Sequence, residues 1–159
     1  MIYVSVGTHR EGFDRLVKAV DALAASGKLR GVLAQIGNSG YRPAHIKWFR
    51  FAASTEEIEK HFAAANLVIT HAGAGAIINA IKEGKPTVVV PRYRKFHEHS
   101  DDHQLDICHE LERTGRIVAV YDIERLGTAI QQALRLHAIT KRKPKAVDII
   151  EEFLWNQLA

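Results

Sequence analysis

The sequence holds one cysteine, Cys108, in 159 residues. That excludes a framework of internal disulfides and fits a reducing compartment. Cys108 falls inside a helical pattern, where it reads as core rather than nucleophile. No apolar run is long enough to span a bilayer, and the first residues lack a signal-peptide pattern. Work at a membrane would therefore need another molecule to bring the chain there. Repeats and low-complexity segments are missing too. What remains is ordinary for one globular domain: 47% apolar and 25% charged residues, enough to bury a core. A net charge of +4 suits an anionic ligand, an anionic membrane surface or nucleic acid, without choosing among them.

One stretch organises the rest. Leu67-Val68-Ile69 has strand character, and His71-Ala72-Gly73-Ala74-Gly75-Ala76 follows as a loop of small residues. Ile77 to Ile81 reads as a helix ended by Gly84 and Pro86, and Thr87-Val88-Val89-Val90 as a second buried strand stopped by Pro91. Such a strand–loop–helix–strand unit aims free backbone N–H groups and the positive end of a helix dipole at whatever sits over the loop, and phosphate is the usual guest. The dinucleotide fingerprint is not met: Ile78 stands where its third glycine or alanine belongs, and the loop lies mid-chain, which counts against NAD. Taken alone, the loop is equally compatible with a tight turn that holds nothing.

Before this unit, Ile2 to Val6 is strand-like, and Phe13, Leu16, Val17, Val20 and Leu23 recur at helical spacing up to Gly27. Gly7-Thr8-His9-Arg10 is thus a second strand-to-helix loop, expected on the same sheet edge as the glycine loop. Val32 to Ile36 and Lys47 to Phe51 read as strands. Ser54 with Glu57 three residues on has the pattern of a capping box, opening a helix with Ile58, His61, Phe62 and Ala65 on one face.

After it, residues 92–104 form the most polar stretch of the chain. Its histidines and carboxylates invite a metal reading, but the spacing matches no common zinc pattern, and a solvated loop and no metal are expected. A helix with Leu105, Ile107, Cys108 and Leu111, a strand over 117–120, and a helix capped by Asp122 and carrying Leu126, Ile130, Ala133 and Leu134 complete a domain at 1–140. The segment 141–159 reads as a basic hinge, Lys141 to Lys145, and an amphipathic helix that packs on the domain or a partner. Short basic linkers are usually only solvated, so no nucleic-acid partner is expected. Strands alternate with helices nearly throughout, which argues for an α/β fold: a doubly wound parallel sheet of about six strands with helices on both faces.

Taken together, Val6-Gly7-Thr8, Thr70 to Ile78, Gly84 to Arg92 and Glu98-His99-x-Asp101-Asp102-His103-Gln104-Leu105 resemble the C-terminal, donor-binding domain of the family 28 glycosyltransferases, over about residues 2–135. Within it the stand-alone donor subunits of two-part transferases are most similar: the cytosolic subunit of the eukaryotic UDP-GlcNAc transferase and the PssE-type subunits of bacterial polysaccharide synthesis. The resemblance implies a Rossmann-like half of a GT-B fold. It implies an inverting transfer of GlcNAc or glucuronic acid from a UDP-sugar to a lipid-diphosphate-linked acceptor, with no cofactor beyond the donor. A membrane-anchored acceptor-binding subunit is implied as partner, recruiting this chain to the cytoplasmic face of a membrane.

By the same resemblance, His71, Ala72, Gly73, Ala74, Gly75 and Ala76 hold the diphosphate, with Gly7 and Thr8 facing it from the first loop. The backbone near Phe51 and Ala52 reads the uracil edge, and His103 and Gln104 bond the sugar hydroxyls. Asn79 stands where most relatives carry a glutamate that grips the ribose diol. An amide is uncharged and not bidentate, so donor affinity is expected to be lower or the nucleotide held differently. His9, Glu98 and His99 are chemically able bases, but none is assigned as catalytic. The competing readings are a nucleotide-binding regulatory module without transferase activity, an unrelated phosphate-binding enzyme, and a nucleic-acid binder using the basic hinge.

Overall fold

The computed structural model describes residues 1–140. The basic hinge and the amphipathic helix expected over 141–159 lie outside the described residues. Six strands, β1 (Ile2–Ser5), β2 (Val32–Gln35), β3 (Lys47–Phe49), β4 (Leu67–His71), β5 (Thr87–Val90) and β6 (Val118–Ala119), form one parallel sheet in the order β3-β2-β1-β4-β5-β6. Between them run α1 (Asp14–Ala25), α2 (Thr55–Ala64), α3 (Ala74–Lys82) and α4 (His103–Arg113), and α5 (Leu126–Thr140) follows β6.

The central strands are nearly continuous apolar runs because both of their faces are covered. On one face, Leu16 and Val20 of α1 and Ile130 and Ala133 of α5 close over Val4, Ile69 and Val88. On the other, Phe62 of α2 packs with Tyr3 and Val68, while Ile77 and Ile81 of α3 and Cys108 and Leu111 of α4 pack with Val89. The chain moves outward from β1 to β3 and then restarts at β4 on the other side of β1. At that reversal, the loops leaving β1 and β4 diverge to opposite faces and open a crevice beyond the carboxyl ends of the strands, where open α/β sheets bind ligands.

The expected elements form, with four differences. α3 starts at Ala74, so the glycine loop shrinks to Ala72-Gly73 and Gly75 lies in the first helical turn, where burial of Ala74, Ile77 and Ile78 outweighs its poor propensity. Asp122 caps a short 3-10 turn, Ile123–Arg125, through Glu124 N before α5 begins. Leu134 is 42% exposed and not part of the core face of α5. The polar stretch after β5 is not simply solvated: Arg92 and Glu98 within it are buried.

α1 also fixes the connection between β2 and β3 through one buried carboxylate. Asp21 accepts from Tyr41 Oη at 2.7 Å, His45 N at 2.8 Å and Ala44 N at 3.2 Å. Burial works against that charge, but the hydrogen bonds from Tyr41, His45 and Ala44 outweigh it and hold the carboxyl below its ordinary value. Asp21→Ala is expected to lower unfolding free energy by about 2 kcal/mol, because these donors lose their acceptor. Since the folded carboxyl titrates below the unfolded one, the wild-type contribution is complete above the ordinary carboxylate range and lost as pH falls through the lowered folded value. Urea unfolding of both proteins between pH 7 and pH 3 checks the size and the sign: the gap between them should narrow only in acid.

Candidate functional site

The crevice is floored by a polar layer at the carboxyl end of the sheet. Ser5 lies in register with Gln35 on one side and Thr70 on the other. Ser5 Oγ donates to Gln35 Oε1 at 3.1 Å, and Thr70 Oγ1 donates to Ser5 O at 3.0 Å. Gln35 is fully used: Oε1 also accepts from Gly7 N, and Nε2 donates to Gly7 O and Arg50 O at 2.9 and 3.0 Å. One buried carboxamide thereby fixes the start of the β1–α1 loop and the end of β3, and every polar atom it brings inside is paired.

Above this floor a cavity of about 510 Å³ opens between the N-terminal ends of α2 and α3. The two ends differ. Ser54 caps α2 by accepting from Glu57 N, and Glu56 and Glu57 occupy its first turn. α3 is preceded by Gly73 at its N-cap, with no side-chain cap and no acidic residue in its first turn. Its leading N–H groups and positive dipole end are thus open to an anion, beside Gly75 and Ala76 in the cavity wall. No Lys, Arg, Asp or Glu side chain lines the cavity among the described residues.

His71 closes the side between the two loops. Its Nδ1 lies 3.3 Å from Ser5 O. A Cβ placed on Gly73 would come 2.1 Å from His71 Nε2, and one on Gly7 2.6 Å from His71 Cε1. The imidazole therefore occupies the space that side chains at 7 and 73 would need. Gly7 is required twice over, since its φ of +76° also disfavours any side chain. Burial, helped by the charge of Arg92, pushes His71 down to about 4, so the ring is neutral at physiological pH.

A second layer ties the loops together. Arg92, just beyond β5, is 1% exposed. Its guanidinium donates to Val6 O, Glu11 O, Gly12 O and Glu98 O at 2.8–3.0 Å and stacks over Phe13 at 4.7 Å. Arg15 of α1 grips Glu98 with two bonds of 2.9 Å, and Glu98 also accepts from Tyr93 N. Glu98 is thus spent on structure, which removes it from the three able bases. Among the described residues no group of three or more His, Cys, Asp or Glu comes together in a way that could hold an ion.

Of the residues singled out from sequence, Gly7, Thr8, Phe51, Ala52, His71, Gly73, Gly75, Ala76 and Asn79 line the cavity. Ala72 and Ala74 belong to the same turn but are buried behind its surface. His103 and Gln104 sit at the start of α4, outside the lining; His103 is exposed beside Asp106, and Gln104 Oε1 accepts from Arg92 N at 3.0 Å. Sequence reasoning missed Ser5, Gln35, Ser54 and Thr55 as lining residues and Arg92 as the tie between loops. The available signal was a polar residue at or next to the end of a largely apolar strand, seen at Ser5, Gln35 and Thr70.

The packing of His71 generates a steric test. Gly73→Ala is expected to cost about 1–3 kcal/mol of unfolding free energy, because the methyl group must displace the imidazole. His71→Ala in the same chain frees that space and should recover most of the loss. Gly7→Ala should stay destabilised in the His71→Ala background, since its strain lies in the backbone. Urea midpoints of the single and double variants separate the two cases.

Comparison with known proteins follows the same lines. The sequence model of the glycosyltransferase family 28 C-terminal domain matches residues 1–153. Over 125 residues the chain is 28% identical to the UDP-N-acetylglucosamine transferase subunit ALG13 of Homo sapiens, covering 73% of this chain and 10% of that protein. Over 109 residues it is 33% identical to the UDP-N-acetylglucosamine--N-acetylmuramyl-(pentapeptide) pyrophosphoryl-undecaprenol N-acetylglucosamine transferase of Solibacter usitatus, covering 57% of this chain and 28% of that enzyme. The chain thus spans well under two thirds of these relatives. Among solved structures, the glycotransferase of kitacinnamycin superposes with a TM-score of 0.60 at 16% identity, over 95% of this chain and 42% of that one. MurG of Acinetobacter baumannii superposes at 0.51 and 17% identity, over 97% of this chain and 49% of its own. At these identities the likeness establishes the fold alone, that of one Rossmann-like half of a GT-B enzyme. With the family model matching nearly its whole length, the chain belongs to the glycosyltransferase family 28 C-terminal domain family.

Proposed function

We propose that this chain is the donor-binding part of a glycosyltransferase that takes a sugar, GlcNAc or glucuronic acid, from a UDP-sugar. The observation that carries the reading is the open N-terminus of α3 facing an uncharged cavity at the switch point of the sheet. Support also comes from relatives named as UDP-N-acetylglucosamine transferases or their subunits. In this reading the N–H groups at Gly73 to Ala76 hold the diphosphate, with Gly7 and Thr8 opposite. Phe51 and Ala52 flank the uracil, and Asn79 meets the ribose. His103 and the NH2 of Gln104 meet the sugar from the start of α4.

The chemistry is an inverting displacement. An acceptor hydroxyl loses its proton and attacks the anomeric carbon, the bond to the diphosphate breaks, and the electron pair leaves on UDP. Backbone donors and the dipole of α3 stabilise the charge gathering on the leaving diphosphate, so no metal or other cofactor is invoked. Residues 1–140 are the donor domain in this reading, and 141–159 pack on it or on a partner. That partner is a membrane-anchored subunit that supplies a lipid-diphosphate-linked acceptor at the cytoplasmic face. No helix among the described residues is long and apolar enough to cross a membrane.

Amide chemical shifts of the chain titrated with UDP-GlcNAc, UDP-glucuronic acid, GDP-mannose and NAD test the reading. A UDP-sugar is expected to move Gly7, Gly73, Gly75 and Ala76 while the other nucleotides leave them in place. Saturable shifts from NAD or GDP-mannose alone would overturn it. Sugar transfer to a lipid-linked acceptor only when the partner is added would separate the transferase from a nucleotide-binding module.

A further inference from the structure

A second concavity, of about 400 Å³, opens at the same carboxyl edge of the sheet and shares no lining residue with the crevice. The segments that follow β1, β2 and β5 build it. Asp14 and Arg15 at the start of α1 form one side, Asn38 another, and Phe96 and Glu98 the third.

Its walls are fixed before any ligand arrives. Arg15 holds Glu98 through Nε and Nη2, both at 2.9 Å. Asp14 Oδ1 accepts from Gly40 N at 2.8 Å, Asn38 Nδ2 donates to His9 O at 2.9 Å, and Ser39 Oγ accepts from Phe13 N at 3.0 Å. Beneath them Arg92 donates to Gly12 O and Glu98 O. These ties leave polar atoms over: Asp14 Oδ2, Asn38 Oδ1 and Arg15 Nη1 meet no hydrogen-bonding group among the described residues. Phe96 of the same groove is 50% exposed. Two acceptors, a donor and an apolar ring thus stand in one preformed groove, and preformation lowers the cost of binding.

We propose that this groove binds a neutral saccharide unit of the acceptor. Neighbouring hydroxyls donate to Asp14 Oδ2 and Asn38 Oδ1, a third oxygen accepts from Arg15 Nη1, and the C–H face of the sugar ring covers Phe96. The charges select a neutral guest. Asp14 lies in the first turn of α1 and, with Glu98, opposes an anion there, while Arg15 opposes a cation. The place selects the acceptor. Thr8 lines the crevice and Gly12 the groove, so their Cα atoms are at most about 14 Å apart along the chain. A short glycan seated in the groove can present its end to a donor in the crevice while its lipid stays with the partner.

The acceptor role rests on the UDP-sugar reading; affinity of the groove for sugar does not, so the two fail separately. Amide chemical shifts of the chain are followed during titration with cellobiose and with N,N′-diacetylchitobiose, first alone and then with UDP-GlcNAc saturating. At least one disaccharide is expected to shift Gly12, Asn38, Gly40 and His97 saturably, with the same affinity in the presence of UDP-GlcNAc. Asp14→Asn keeps an oxygen for Gly40 N but turns the free acceptor into a donor, and should weaken sugar binding about tenfold. Phe96→Ala should weaken it several-fold. Both variants should bind UDP-GlcNAc as the wild type does, which also shows that they fold. Absence of a saturable shift at the groove with either sugar would overturn the inference and leave the donor reading standing. Competition between sugar and UDP-GlcNAc, unchanged affinity in Asp14→Asn, or inorganic phosphate moving the same amides at lower concentration would each overturn it too. Sugar binding by a chain that takes no UDP-GlcNAc would overturn the donor reading and the acceptor role with it.

Discussion

The buried guanidinium of Arg92 is the constraint on which the site depends. A cation taken out of water is costly unless its hydrogen-bonding capacity is met. Here four backbone carbonyls meet it: Val6, Glu11 and Gly12 of the β1–α1 loop and Glu98 of its own. Burial still lowers its pKa to about 10, and its Nε has no partner among the described residues. Because the carbonyls belong to two loops that never adjoin in sequence, one side chain fixes their relative position. The Arg15–Glu98 pair and the Gln104 carboxamide, which holds Arg92 N, repeat the tie from α1 and α4.

Held in this way, the loops can leave the crevice between them free of side-chain charge. The floor is built from neutral polar groups that satisfy one another, and the wall toward α3 is made by Gly73, Gly75, Ala76 and the uncharged Asn79. His71 fills the space beside Gly7 and Gly73 without adding charge. Such a surface suits a ligand whose negative charge can be met by oriented N–H groups, which cost little reorganisation because the helix already aligns them. A cationic group stands one layer back, in Arg92. There it acts through the field rather than by contact.

Much of this was legible in the sequence. The alternation of strands and helices gave the sheet, and the small residues after β4 and β1 pointed to the crevice edge, because glycine spacing reports directly on backbone approach. Helix start and cap at Ser54 were readable for the same local reason. The rest is tertiary. Nothing in the spacing shows that Arg92 folds under the first loop or that Glu98 turns inward to Arg15, 83 residues away. Charge in a polar stretch reads as solvated until its partners are known. Gln35 was hidden likewise, since its role depends on Ser5 and Gly7 lying beside it in register. The segment 141–159 lies outside the described residues, and its reading as hinge and helix remains a proposal.

The most direct measurement of the central claim is a crystal structure of the chain with UDP-GlcNAc. Density for the diphosphate within hydrogen-bonding distance of the backbone nitrogens of Gly75 and Ala76, with uracil beside Phe51 and Ala52, is the expected result. Nucleotide seated elsewhere, for instance in the groove between Arg15 and Phe96, would contradict the assignment of the crevice as the donor site.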